Sequence, residues 1–109
     1  MTQVDFQSIF DTLKKGVAAL AEEHIKEYAK QAKGDGEQML NGMKTKLERY
    51  AQQFKNGEIT KDELEFQIGT EKALLKMAIL KQKGIAQIHL DKFKRGIINL
   101  ITDTLSKVI

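Results

Sequence analysis

The side chains best suited to chemistry in this sequence are two histidines, and each sits among carboxylates. His24 follows Glu22 and Glu23, and His89 lies two residues before Asp91. A carboxylate-bridged metal site in a helical bundle needs a glutamate three residues ahead of a histidine on each of two helices, plus further glutamates facing inward. Neither histidine has that spacing. The pattern of two histidines four apart around a glutamate is also absent. His24 stands beside Ile25, and His89 between Ile88 and Leu90, so both read as boundary or partly buried side chains. No metal ligand and no cofactor is expected.

Nucleophilic chemistry has little to work with. There is no cysteine, which excludes disulfides, thiol catalysis, zinc fingers and iron–sulfur clusters. Ser8 and Ser106 lie near the two ends of the chain, and no Gly-x-Ser-x-Gly is present. Gly34-Asp35-Gly36 lacks the remaining glycines and the lysine of a phosphate-binding loop, and it would set an aspartate where a phosphate should sit. No catalytic residue is expected, and the chain reads as non-enzymatic.

The charge pattern is more informative. The net charge is +3 and the pI about 9.1. Between Lys72 and Arg95 there are seven basic residues and one acid, Asp91, so that segment carries +6 and the remainder −3. Lys92, Lys94 and Arg95 form its densest basic surface. Phe93, set among them, falls in helical phase with Ala86, Leu90 and Ile97 and is therefore assigned to the core, away from any stacking role. Without a recognisable reading motif, nucleic acid is not an expected partner.

The elements that position these residues are set by a repeat. Phe10, Ala21, Ala32, Met43 and Phe54 recur every eleven residues, beside Phe6, Val17, Tyr28, Met39 and Tyr50. Later come Leu64, Leu75, Ala86, Ile97 and Val108, beside Ile68, Ile79, Leu90 and Ile101. Eleven residues make almost three helical turns, so each series keeps one face of a nearly straight helix. The pattern resembles that of apolipoprotein-like and hendecad coiled-coil sequences, without a diagnostic motif. Absent proline, few aromatics and 41% apolar residues agree with a single all-α domain spanning 1–109.

Helix ends are marked. Thr2 and Asp5 form a weak capping pair. Thr60 and Glu63 form a stronger one, with Ile59 and Leu64 placed as a hydrophobic staple. Gly57 suits the left-handed position after a helix. The expected architecture is an antiparallel hairpin of two long helices. The first runs from about Gln3 to Asn56, the turn spans about 56–60, and the second runs from about Lys61 to Lys107. Each arm would be roughly 70–80 Å long.

Glycines are the weak point: Gly16, Gly34, Gly36, Gly42, Gly69, Gly84 and Gly96 all fall inside the arms. Because the repeat continues through Gly34–Gly36, a continuous but soft helix is expected there. Pairing about Gly57 would set Gly16 near Gly96, Gly42 near Gly69 and Gly34 near Gly84, allowing close backbone approach. The alternative is a chain that folds back at Gly34–Gly36 and Gly84 into a compact four-helix bundle.

The second arm is apolar over more than one face. Phe66, Ala73, Met77, Leu80, Gly84 and Ile88 lie beside the main stripe. A helix so widely apolar is usually buried on several sides. The expected function is therefore that of a helical interaction or scaffold protein, its interface carried by Leu75, Met77, Ile79, Leu80, Ile88, Phe93, Ile97 and Ile101. The partners expected are a second copy, most simply in a dimer, another protein, or an anionic membrane surface. The alternative function is peripheral lipid binding through the same face. No export signal is expected, because the N-terminus carries Asp5 and Asp11. No run nears the roughly 18 apolar residues of a membrane span. A cytoplasmic location is the expectation, although leaderless secretion or a phage origin would give the same pattern.

Overall fold

The computed structural model describes residues 5–107. Five α-helices appear among them: α1 (Phe6–His24), α2 (Ala29–Lys55), α3 (Lys61–Gly69), α4 (Lys72–Leu75) and α5 (Gln87–Ser106). Short 3₁₀ turns occupy Lys26–Tyr28 and Ala78–Lys81. Every regular element among the described residues is helical. The proposed cap at Thr2 and the repeat position Val108 lie outside them. α1 starts instead from Asp5, whose carboxylate accepts from the Ser8 backbone N–H at 3.3 Å and from the Ser8 hydroxyl at 2.7 Å. The hydroxyl bond, then the backbone bond, hold the Asp5 carboxyl below its usual range.

The body measures 48 × 23 × 20 Å, and this corrects the extended hairpin. Arms of 70–80 Å do not exist, because both are folded back. The first arm breaks at Ile25–Tyr28, where neither glycine nor proline stands. Ile25 leaves helical geometry with φ −123° and ψ 45°, while its side chain stays buried. α2 then returns antiparallel along α1. Lys33 pairs with Glu22, and Lys14 lies 3.9 Å from Glu37. Gly34–Gly36 runs on as helix, as the unbroken repeat implies. At Gly36 a Cβ would overlap Val17 Cγ1, so the missing side chain is what lets α1 approach. The Lys33 ammonium, by its hydrogen bond and its charge, keeps the Glu22 carboxyl below its ordinary value.

The turn after α2 follows its local signals. Gly57 has φ +74°. Its N–H donates to Phe54 O at 3.1 Å, and the Glu58 N–H to Gln53 O at 2.8 Å, the two bonds of a Schellman ending. Thr60 then caps α3 reciprocally. The Glu63 N–H donates to Thr60 Oγ1 at 3.1 Å, and the Thr60 N–H to Glu63 Oε1 at 2.9 Å.

The second arm is not one helix. It stops at Gly69, restarts for one turn as α4, loosens through 76–86, and becomes regular again at α5. α5 lies antiparallel to α1, with Leu100 seated over Gly16 and Leu20 over Gly96. α3 lies along α5, with Lys61 3.2 Å from Asp103 and Arg95 3.6 Å from Glu65. α4 rests on α2, where Ala73 faces Gly42. Gly16 and Gly96 therefore do not face each other; each receives a leucine of the other helix, about one turn apart. Gly42 meets Ala73 where Gly69 was expected, nothing stands within 4 Å of a Cβ at Gly34, and Gly84 receives the Tyr28 ring.

Most positions of the apolar repeat turn inward, while Leu75 and Ala86 of the second half are exposed. Phe10, Ala21, Ala32 and Met43 are buried, as are Phe6, Val17, Met39 and Tyr50. The second half adds Leu64, Ile68, Leu74, Ile79, Leu90, Phe93, Ile97 and Ile101. Burying side chains of this size contributes roughly 1.5–3 kcal/mol each before entropy is counted. No helix among the described residues is long and apolar enough to cross a membrane.

Candidate functional site

Among the described residues three large apolar side chains remain in solvent: Phe66 at 72% exposure, Ile88 at 59% and Leu75 at 44%. All three belong to the second half. Phe66 is outward because its α3 neighbours Leu64 and Ile68 take the buried face, and on a helix the residue two positions from each points away from both. Beside it, α3 and α5 enclose a groove of about 480 Å³. Phe66, Gly69 and Ile98 form its apolar part. Asp62 and Glu65 line it from α3, and Lys94 and Arg95 from α5. Ile88, Lys92 and Arg95 follow one another at helical spacing along α5, and all three are exposed.

This arrangement redistributes the eight side chains expected at a partner interface. Met77, Ile79, Phe93, Ile97 and Ile101 are buried in the chain's own core, so they are withdrawn from the surface. Leu80 is half-buried against that core. Leu75 and Ile88 stay exposed. Of the basic residues, Lys92 and Arg95 are exposed and Lys94 is half-buried at the groove. Gly57, Thr60 and Glu63 have no part in a site. They build the α2–α3 connection and thereby set where Phe66 emerges.

A second concavity, of about 500 Å³, lies where α1 ends and α5 begins. His24 and His89 both line it, with Glu23, Tyr28, Ile85 and Ala86. The antiparallel register of α1 on α5 brings the two imidazoles to one end of the bundle, a convergence that their separate sequence contexts do not announce. His24 Nε2 is 3.5 Å from Glu23 Oε2. Among the described residues no group of three histidine, aspartate or glutamate side chains is placed to hold a metal ion. The serines are not aimed here either. Ser8 serves the α1 cap, and the Ser106 hydroxyl donates to Asp103 O at 3.0 Å.

One polar cluster inside the fold was not foreseen. Glu71, between α3 and α4, is buried. It accepts from the Tyr50 hydroxyl and, at 3.1 Å, from Lys46 Nζ. Burial, then the hydrogen bond and charge of Glu71, raise the Tyr50 phenol above its ordinary value. A buried carboxylate requires such partners. The cluster ties the interrupted second half to α2. Compared with known proteins, the chain matches no family model, no curated protein and no solved structure.

Proposed function

We propose that this protein is a non-enzymatic helical interaction protein that self-associates or binds a protein partner through the surface of its second half. One observation carries the reading: Phe66, Leu75 and Ile88, the large apolar side chains left in solvent among the described residues, all lie on α3, α4 and α5. Exposed aromatic and arginine side chains are the types that most often dominate binding energy at interfaces, and Phe66 and Arg95 line the same groove. Light scattering coupled to size-exclusion chromatography tests this with Phe66→Glu, Leu75→Glu and Ile88→Glu variants. The expected result is a wild-type mass above that of the monomer, reduced by at least one variant whose far-UV circular dichroism is unchanged. Wild type and variants all eluting as monomers up to high concentration count against self-association.

A second reading, reversible binding to an anionic lipid surface, draws on a different observation. Leu75 stands between the exposed Lys72 and Lys76, and Ile88 is one turn from the exposed Lys92. Apolar side chains ringed by lysine suit a charged interface. Such binding would rise with anionic lipid, fall with salt and vanish when Lys92, Lys94 and Arg95 become glutamine. Vesicle co-flotation measures all three.

A further inference from the structure

We propose that the strap of residues 72–83 seats this protein on an anionic phospholipid surface, with Leu75 as the side chain that enters the bilayer interface. The inference rests on the lipid reading above and names the segment that makes the contact and the side it presents.

The strap is pinned at both ends. Glu71, just before it, is held by Tyr50 and Lys46, and Gly84, just after it, receives the Tyr28 ring. Between these anchors α4 and the 3₁₀ turn pack on α2, covering roughly 30 Å of its length. Leu74, Met77 and Ile79 point inward and are buried. Lys72, Leu75, Lys76, Ala78, Lys81 and Lys83 are exposed. On α4, positions 72, 75 and 76 share one face by helical spacing. In the 3₁₀ turn Ala78 and Lys81 share one, since three residues complete a turn there. The outward side of the strap is therefore a row of lysines with Leu75 between the first two.

The charge of this row is unmatched. No acidic residue occurs from Lys72 to Leu90, and among the described residues none of the four strap lysines has an ion-pair partner. On α5, by contrast, Arg95 lies 3.6 Å from Glu65, and Lys94 shares its groove with Asp62 and Glu65. The carboxylates near the strap are matched or turned away. Glu71 is buried on Lys46, Asp35 beside Lys76 has its Oδ2 buried, and Glu27 near Gly84 is accompanied by Lys26. Residue type selects the occupant. Protein interfaces draw their energy from aromatic residues and arginine and are poor in lysine, and the strap holds neither an aromatic residue nor an arginine. Single-stranded nucleic acid needs aromatic stacking platforms, and a duplex groove needs a longer element than the four residues of α4. Lysines on flexible stems around one aliphatic side chain suit a bilayer, where ammonium groups reach headgroup phosphates while the stems and Leu75 lie toward the acyl chains. One leucine anchors weakly, so binding must depend on anionic lipid.

The chain has no tryptophan, so Leu75→Trp supplies a single fluorescent reporter on the strap, and Phe66→Trp supplies a control at an exposed site on α3. With phosphatidylserine–phosphatidylcholine vesicles at low salt, emission from the Leu75→Trp variant is expected to shift to the blue, and that from the Phe66→Trp variant to stay unchanged. Pure phosphatidylcholine vesicles should move neither. Replacing Lys72, Lys76, Lys81 and Lys83 together by glutamine should weaken vesicle binding by about fivefold per lysine. Far-UV circular dichroism should be unchanged, because all four side chains are exposed. A wild type that does not float with anionic vesicles at low salt overturns both the lipid reading and the strap. Flotation that survives the fourfold variant, or that leaves the Leu75→Trp emission unshifted, overturns the strap alone and leaves the lipid reading standing. Duplex DNA bound as tightly as the vesicles at the same salt, and lost in the fourfold variant, overturns the choice of lipid in favour of nucleic acid.

Discussion

The two halves of this chain carry the same eleven-residue apolar repeat and fold differently. The first half makes two long helices, of 19 and 27 residues, joined by a three-residue 3₁₀ turn. The second makes helices of 9, 4 and 20 residues with irregular stretches between them. Their polarity explains the contrast. α1 and α2 have one apolar face and a charged remainder, so a single orientation buries what needs burying. The second arm is apolar over much of its circumference, and no one rotation of a continuous helix could satisfy it. Breaking the helix through 70–86 lets successive segments turn separately. Leu74, Met77 and Ile79 rotate inward, while Phe66, Leu75 and Ile88 are released to solvent. Excess apolar surface in a sequence therefore need not mark an oligomer seam along one helix. Here most of it is absorbed by interrupting the helix, and the remainder is what defines the candidate site.

The sharpest way to break this account is to remove one aromatic ring that the second half buries and one that it leaves outside. Phe93→Ala should cost about 3–5 kcal/mol in urea denaturation, since the ring is fully buried. Phe66→Ala should leave monomer stability nearly unchanged. Equal losses would mean that Phe66 is core after all, and the account of an over-supplied second half would fall.

A next largest effect is expected where the broken second half is tied to α2. Glu71→Ala strands the buried Tyr50 hydroxyl and should cost roughly 1–3 kcal/mol. The same cluster predicts an alkaline signature. The Tyr50 value is raised in the fold above its ordinary 10.0, so its contribution is complete below that pH and is lost as pH rises through the folded value. The melting temperature of the wild type should therefore fall more steeply above about pH 10 than that of Tyr50→Phe. Parallel curves for the two proteins would show that the cluster contributes nothing to stability.

Two glycines in one helix sharpen the reading of the first half. Gly36→Ala places a methyl against the stiff Val17 side chain and should destabilise by about 1–3 kcal/mol, less what better helix propensity returns. Gly34→Ala meets nothing within 4 Å and should stabilise by roughly 0.5–1 kcal/mol. Thermal melts of the pair should move in opposite directions. A change of similar size is expected at the joint between the halves, where Thr60→Ala removes one cap bond at a cost of about 0.5–2 kcal/mol.

The joint between the halves is the part most legible beforehand, because its signals are local. Gly57, Thr60 and Glu63 act through bonds to residues no more than four positions away. The helical state of Gly34–Gly36 was legible for a related reason, since the repeat crosses it unchanged. That argument also has a limit. The repeat crosses the real break at Ile25–Tyr28 equally unchanged, with Ala21 and Ala32 buried on either side. After a tight reversal both helices present their apolar faces to one core, so phase survives the break and does not reveal it. Phe66 could be seen as part of a second apolar face, but its exposure could not, because exposure depends on which face α5 covers. The placing of His24 and His89 around one concavity, and the contact of Glu71 with Tyr50, involve residues far apart in the chain and are visible only once the register is known.

By itself, then, the sequence determined the helical class, the inward stripe of α1, α2, α3 and α5 and the turn at 56–60, all of which follow from periodicity and from bonds between near neighbours. Only the tertiary structure decided that the arms fold in half, where the second arm breaks, and which apolar side chains are left outside. Those outcomes depend on competition between faces for a core of limited size. A single helix carries no record of that competition in its own residues.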